Sequence, residues 1–216
     1  MILELKLKYE TEAYQYFHNN IRKFPLDENG QAIINAETAH NNDVDAFRHA
    51  YVSGSFTIKY NNLAANILGQ LNEIKGNLNE QPKEEENMDL WNNKVGRQYG
   101  EKVSSRKNLA DFLKKALKNN ELIKTIDQKK DSRKYQEDLS EEKKKIDTNK
   151  PVIVLSEKES GRNEWFLDLL KGTVMDKDTF VSQINAGQYP GYNVATIHDE
   201  LTPMSKPDGN SANNLG

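Results

Sequence analysis

The stretch Asp43–Tyr60, DVDAFRHAYVSGSFTIKY, decides how the chain is read. Asn42 before it is a good helix N-cap, and Asp45 three residues later gives the pattern of a capping box. A helix from Asp43 to about Tyr60 follows. Residues spaced i, i+3 and i+4 share a helix face, so Asp45, Arg48 and His49 project together. A carboxylate one turn from an imidazole can share a metal ion with it, or orient it as a general base. The alternative is a helix cap beside a hydrogen-bonded core histidine and a surface arginine; spacing alone does not separate the two.

Downstream, Asn61–Asn77 continues helical, with Leu63, Ile67, Leu71 and Ile74 at three- and four-residue spacing. Asn79–Glu86, NEQPKEEE, reads as a solvated loop, and Asn87 as the cap of a helix running to about Lys102. That helix holds a second polar constellation, MDLWNNKVGRQYG, Met88–Gly100. Asp89, Asn93 and Arg97 stand four residues apart, with Asn92 beside them. Two adjacent asparagines are poor helix formers, so something other than propensity selects them. Gly96 and Gly100 leave room for a ligand or another backbone. The competing explanation is an interhelical hydrogen-bond network. Glu73, between the two motifs, is a third acid that could complete an oxygen–nitrogen site. Such a ligand set suits zinc, manganese, magnesium or calcium without choosing among them. Of the other histidines, His40 could reach the site from the helix N-terminal end, while His18 and His198 read as structural or exposed.

The flanks are read by the same rules. Ile2–Lys8 alternates apolar and polar residues like a short strand or extended lead-in, and Glu10–Arg22 reads as a helix. Ser104 or Ser105 caps a helix with the stripe Leu109, Phe112, Leu113 and Leu117. Asp127–Lys150 is charge-dense and expected to be exposed and partly mobile. Composition shifts at Pro151. PVIVLS reads as a strand, Glu164–Leu170 and Lys177–Ile184 as short helices, Tyr192–Ile197 as a strand, and Pro203–Gly216 as an irregular tail. The expected fold is mainly α: an irregular helical domain over residues 1–150 carries the polar seam, and a small α/β C-terminal segment over 151–216 packs on it.

Composition limits the function classes. A net charge of −3 weighs against a general nucleic-acid binder. The absence of cysteine removes disulfides and thiolate metal sites. No signal peptide and no apolar run of membrane-spanning length is present. There is no P-loop, HExxH or GxSxG motif, and the Gly96–Gly100 pair is not in an apolar span, so it is no membrane dimer motif.

DAFRHAYVSG, LGQLNE and MDLWNNKVGRQYG together resemble an uncharacterised bacterial domain family whose members often form the C-termini of large secreted polymorphic toxins and Rhs-type effectors. The similarity runs from about residue 40 onward. Many members carry a histidine where this chain has Asn72, a departure that weighs against a multi-histidine zinc site. The resemblance implies an antibacterial effector delivered into a target cell, a cognate immunity protein, and a secretion-system carrier or larger parent polypeptide. The expected activity is hydrolysis of an envelope substrate: a lipid-linked peptidoglycan precursor, a phospholipid or peptidoglycan. His49 would be general base or metal ligand, and Asp45, Glu73 and Asp89 would hold a divalent ion or tune the histidine. Arg48 and Arg97 would hold an anionic group, and Asn92 and Asn93 would position substrate. The alternatives are a non-enzymatic binding module with a structural polar seam and, third, a nuclease toxin.

Overall fold

The computed structural model describes residues 2–77, 82–127, 131–210 and 214–215; the side chains of residues 72–77 fall outside that description. The fold is mainly α with a C-terminal α/β part, and eight helices and five strands are formed among the described residues. The chain divides into two units, Leu3–Glu137 and Asp138–Gly216.

The first unit is built around α3 (Asp43–Lys59). Asn42 caps it, its side chain accepting the N–H groups of Val44 and Asp45. The expected capping box does not close, because Asp45 accepts the N–H of Asn41 instead, at 2.8 Å. Val44, Ala46, Phe47, Ala50, Ser53, Gly54, Ser55 and Thr57 are all buried, so α3 is covered on most sides. Helix α5 (Lys83–Gly100) packs on it at backbone contact. A Cβ on Gly96 would lie 2.0 Å from the Ala50 carbonyl oxygen, and one on Gly100 would lie 2.7 Å from that of Gly54. Gly54 in turn meets the Gly96 carbonyl oxygen and the Leu109 side chain. The room left by the glycines of α5 is thus filled by another backbone.

Around this pair lie α1 (Ile2–Asn20), the short α2 (Ala36–Ala39), α4 (Asn62–Asn77) and α6 (Arg106–Lys118). The expected N-terminal strand is helix. Ile2, Leu5, Lys6, Tyr9 and Ala13 are the less exposed positions, a helical period, while Leu3 and Leu7 face solvent. Leucine, lysine and glutamate favour helix, and this outweighs an accidental alternation. Tyr9 meets Phe56 edge-on at 5.3 Å, and Phe17 meets Phe47 at 5.7 Å. Ser105 caps α6 by accepting the Asn108 N–H. Phe112 leaves the expected stripe; it is exposed and stacks on Tyr99.

Helix α5 starts at Lys83, so the expected loop over 79–86 is already helical there; residues 79–81 lie outside the described residues. Pro82 stands at the N-cap, and Glu84, Glu85 and Glu86 sit in the first turn, where the helix dipole favours them. Asn87 is therefore inside the helix and not its cap. Its amide accepts the Tyr135 N–H and donates to the Arg133 carbonyl. This pins the extended stretch Asp131–Glu137, which alternates inward and outward residues. Arg133 donates to the carbonyls of Asn120, Glu121 and Leu122 and lies over Trp91. Part of the stretch expected to be exposed and mobile is thus a strap, held because its charges find buried partners.

The second unit contains α7 (Ser140–Lys144), a three-stranded antiparallel sheet in the order β1-β2-β3, helix α8 (Lys177–Asn185) and a hairpin. The strands are β1 (Val152–Glu157), β2 (Asn163–Asp168) and β3 (Thr173–Asp176). The helix expected over Glu164–Leu170 is β2: Trp165, Phe166 and Leu167 pair with both neighbours, and aromatic residues suit a pleated, half-buried surface. Strands β4 (Tyr192–Ile197) and β5 (Glu200–Ser205) form the hairpin, whose turn residues His198 and Asp199 both have positive φ, as a type I′ turn requires. Pro203 pairs with Val194 inside β5, so the tail is irregular only beyond Ser205. Phe166, Met175, Phe180, Ile184, Tyr189 and Tyr192 belong to this unit's core.

Two stability predictions follow from the packing. Gly96→Ala is expected to destabilise the chain by about 3 kcal/mol in urea unfolding, because backbone is what its Cβ would strike; a change within about 0.5 kcal/mol would contradict the close helix contact. Glu12 accepts from Arg106 Nε at 2.7 Å and from the Tyr51 hydroxyl at 3.0 Å. Burial pushes its carboxyl up, but these two partners outweigh that and hold it below its ordinary 4.5. Its stabilisation is therefore complete above that value and is lost as pH falls through the lower folded-state value. Glu12→Gln should be the less stable protein at neutral pH, with the gap to wild type closing in acid.

Candidate metal centre

The glycine-mediated approach of α3 and α5 sets the two polar motifs face to face. Asp45 and His49 come from α3, Asp89 and Asn93 from α5. His49 Nε2 lies 3.2 Å from Asp89 Oδ1 and 3.5 Å from Asp45 Oδ1. One donor atom from each of the three residues lies within 4.8 Å of the others. Asp45 and Asp89 are buried, and the His49 side chain is 11% exposed. Asn93 hydrogen-bonds to His49.

Arg48 supplies the positive charge beside this group. Its Nη2 lies 2.6 Å from both Asp45 Oδ1 and His49 Nε2, and its Nη1 donates to Glu10 Oε1 at 2.9 Å. Burial, reinforced by Arg48 and opposed by Asp45, pushes the His49 imidazole down to about 3. Burial also raises the Asp45 carboxyl, but His49 and Arg48 outweigh it and leave Asp45 below the usual carboxylate range. The group is therefore a neutral imidazole between two carboxylates, the protonation state in which histidine ligates metal. Two carboxylate oxygens and one imidazole nitrogen form a donor set that could hold a divalent ion.

A small cavity of about 50 Å³ reaches one side of the group. His49, Arg48, Asn93, Ser53 and Lys6 line it, together with an apolar wall of Val52, Phe56, Ala65 and Leu68. Asp89 is absent from the lining, so His49 and Asn93 are what the cavity meets of the buried cluster.

Not every residue expected at the site is there. Asn92 is fully buried and turned to Ile123, accepting its N–H and donating to its carbonyl, both at 2.9 Å. Arg97 is buried in an ion pair with Glu137 and donates to Ser53 Oγ at 3.4 Å. Neither lines the cavity; the Asn92 amide serves packing, while Arg97 Nε is buried without a hydrogen-bond partner. Glu73 lies on the α4 backbone, and its side chain is outside the described residues. His40 pairs with Glu85, His18 accepts the Phe24 N–H, and His198 is in the hairpin turn. Lys6 and Glu10 are the additions that sequence reasoning missed. Read as helix, Ile2–Lys8 would have put them one turn apart on one face.

Residues 14–130 match the family described as "Domain of unknown function (DUF6973)". The chain belongs to that family. The match covers more than half of the chain, including both motif helices, and ends at residue 130, short of the downstream part of the resemblance. No curated protein and no solved structure matches the chain.

The contrast between Asn92 and the cluster is testable. Asn92→Leu strands the buried N–H and C=O of Ile123, so a loss of about 2–4 kcal/mol is expected in thermal or urea unfolding. Divalent-ion binding by the folded fraction, measured calorimetrically, should be unchanged. Loss of ion binding in a folded Asn92→Leu protein would return Asn92 to the site.

Proposed function

We propose that this domain is a divalent-ion-dependent hydrolase acting as an antibacterial effector on an anionic envelope substrate. The observation that carries the hydrolase reading is the buried Asp45–His49–Asp89 donor group beside a cavity lined by His49, Asn93 and two cationic side chains. The effector reading rests on the resemblance of DAFRHAYVSG and MDLWNNKVGR to domains at the ends of secreted toxins. It brings with it a cognate immunity protein, a carrier or parent polypeptide, and delivery into a target cell. Among the described residues, no helix is long and apolar enough to cross a membrane.

In this reading Asp45, His49 and Asp89 hold the ion, which supplies Lewis acidity when bound. Asn93 fixes the His49 ring through its hydrogen bond, a positioning role. Arg48 steadies the Asp45 carboxylate and, at the cavity edge, offers its guanidinium to an anionic group on the substrate. The apolar walls Val52, Phe56, Ala65 and Leu68 keep water from one side of the bound molecule.

A second reading has one observation behind it: Arg48 Nη2 lies within hydrogen-bond distance of both Asp45 and His49. A fully paired polar seam of this kind rigidifies a helix pair without chemistry. Growth of a host bacterium separates the readings. Wild type, His49→Ala and Asp89→Asn are expressed with and without an export signal. Exported wild type is expected to arrest growth, and both variants, folded by circular dichroism, to relieve the arrest. Full toxicity of a folded His49→Ala protein would overturn the hydrolase assignment. Toxicity confined to the cytoplasm would move the substrate from the envelope to nucleotides or nucleic acid.

A further inference from the structure

The cavity beside His49 has a composition that the hydrolase reading alone does not use. The two charged residues that line it, Lys6 and Arg48, are both cations. They come from different helices, α1 and α3, and Glu10 Oε1 contacts both, Lys6 Nζ at 3.8 Å and Arg48 Nη1 at 2.9 Å. Each Nη of a guanidinium carries two hydrogens, so Nη1 keeps one beyond that bond. The remaining wall, Val52, Phe56, Ala65 and Leu68, is apolar. A ligand with an anionic head and a hydrocarbon part would satisfy both surfaces at once.

We infer that this cavity binds an alkyl phosphate, its phosphate on Lys6 and Arg48 and its chain along Val52, Phe56, Ala65 and Leu68. The inference deepens the reading of the His49 site as hydrolytic, since it places a phosphoester beside His49. A planar fork and an ammonium suit the several oxygens of a phosphate. Glu10 holds the two cations near each other in the free protein, which lowers the ordering cost of forming the subsite. The phosphate can be borne by a lipid headgroup or by a freely soluble phosphoester; the head and the first carbons of the chain are chemically the same in both.

Binding is measured without added metal, so the result does not depend on turnover. The probes are octyl phosphate, inorganic phosphate and octyl glucoside by titration calorimetry. Octyl phosphate is expected to bind at least about a hundredfold tighter than inorganic phosphate, from the burial of several methylenes. Lys6→Gln, at a partly exposed position, should weaken octyl phosphate about tenfold while leaving octyl glucoside unchanged. Leu68→Asp should abolish the advantage of the chain. Thermal unfolding establishes that both variants are folded. Equal affinity for octyl glucoside and octyl phosphate, or an unaltered Lys6→Gln titration, would overturn the inference. Co-sedimentation with vesicles of phosphatidylcholine containing phosphatidic acid assigns the source: binding there identifies a lipid headgroup, and binding to octyl phosphate alone a soluble phosphoester. Folded protein that binds octyl phosphate yet is harmless both with and without an export signal would leave this subsite standing and remove the hydrolytic effector reading, so the two fail separately.

Discussion

Everything in the helical unit depends on α3 and α5 touching backbone to backbone. Ala50, Gly54, Gly96 and Gly100 have no side-chain bulk to hold the helices apart. The same closeness brings His49 within 3.2 Å of Asp89, a distance that larger residues at the crossing would not permit. Packing and site are therefore one constraint. The glycines cost helix propensity, and what they give in return is a polar cluster assembled from two rigid elements.

The sequence made much of this legible because helix periodicity is local. Asp45, Arg48 and His49 could be placed on one face from spacing alone, and the structure brings them together. Which residues of α5 meet them was not legible in the same way. Asp89, Asn92, Asn93 and Arg97 share one helical pattern, yet Asp89 and Asn93 go to His49 while Asn92 goes to Ile123 and Arg97 to Glu137. Those partners lie far along the chain, and no local rule names them. The two adjacent asparagines serve something other than helix propensity. For Asn92 that something is the backbone of Ile123.

The misjudged elements share a cause. Ile2–Lys8 and Glu164–Leu170 are short, and over so few residues the periods of strand and helix overlap. In the first, helix propensity and the burial of Tyr9 and Ala13 made the choice; in the second, β1 and β3 draw Trp165–Leu167 into a sheet. The first error also hid Lys6, since a strand would not have set it one helical turn from Glu10. Errors in secondary structure thus carried directly into the account of the site.

The strap Asp131–Glu137 bears on where this domain begins and ends as a folding unit. The family match stops at residue 130 and starts at residue 14. Arg97, 2% exposed, takes its counter-charge from Glu137, and Arg48 takes part of its own from Glu10. A polypeptide trimmed to the matched span would bury a guanidinium with no carboxylate opposite it and open the floor of the aromatic cluster under Tyr9. The span by which sequence recognises the family is therefore narrower than the span that physics requires, and excision of the domain must respect the charges rather than the motif.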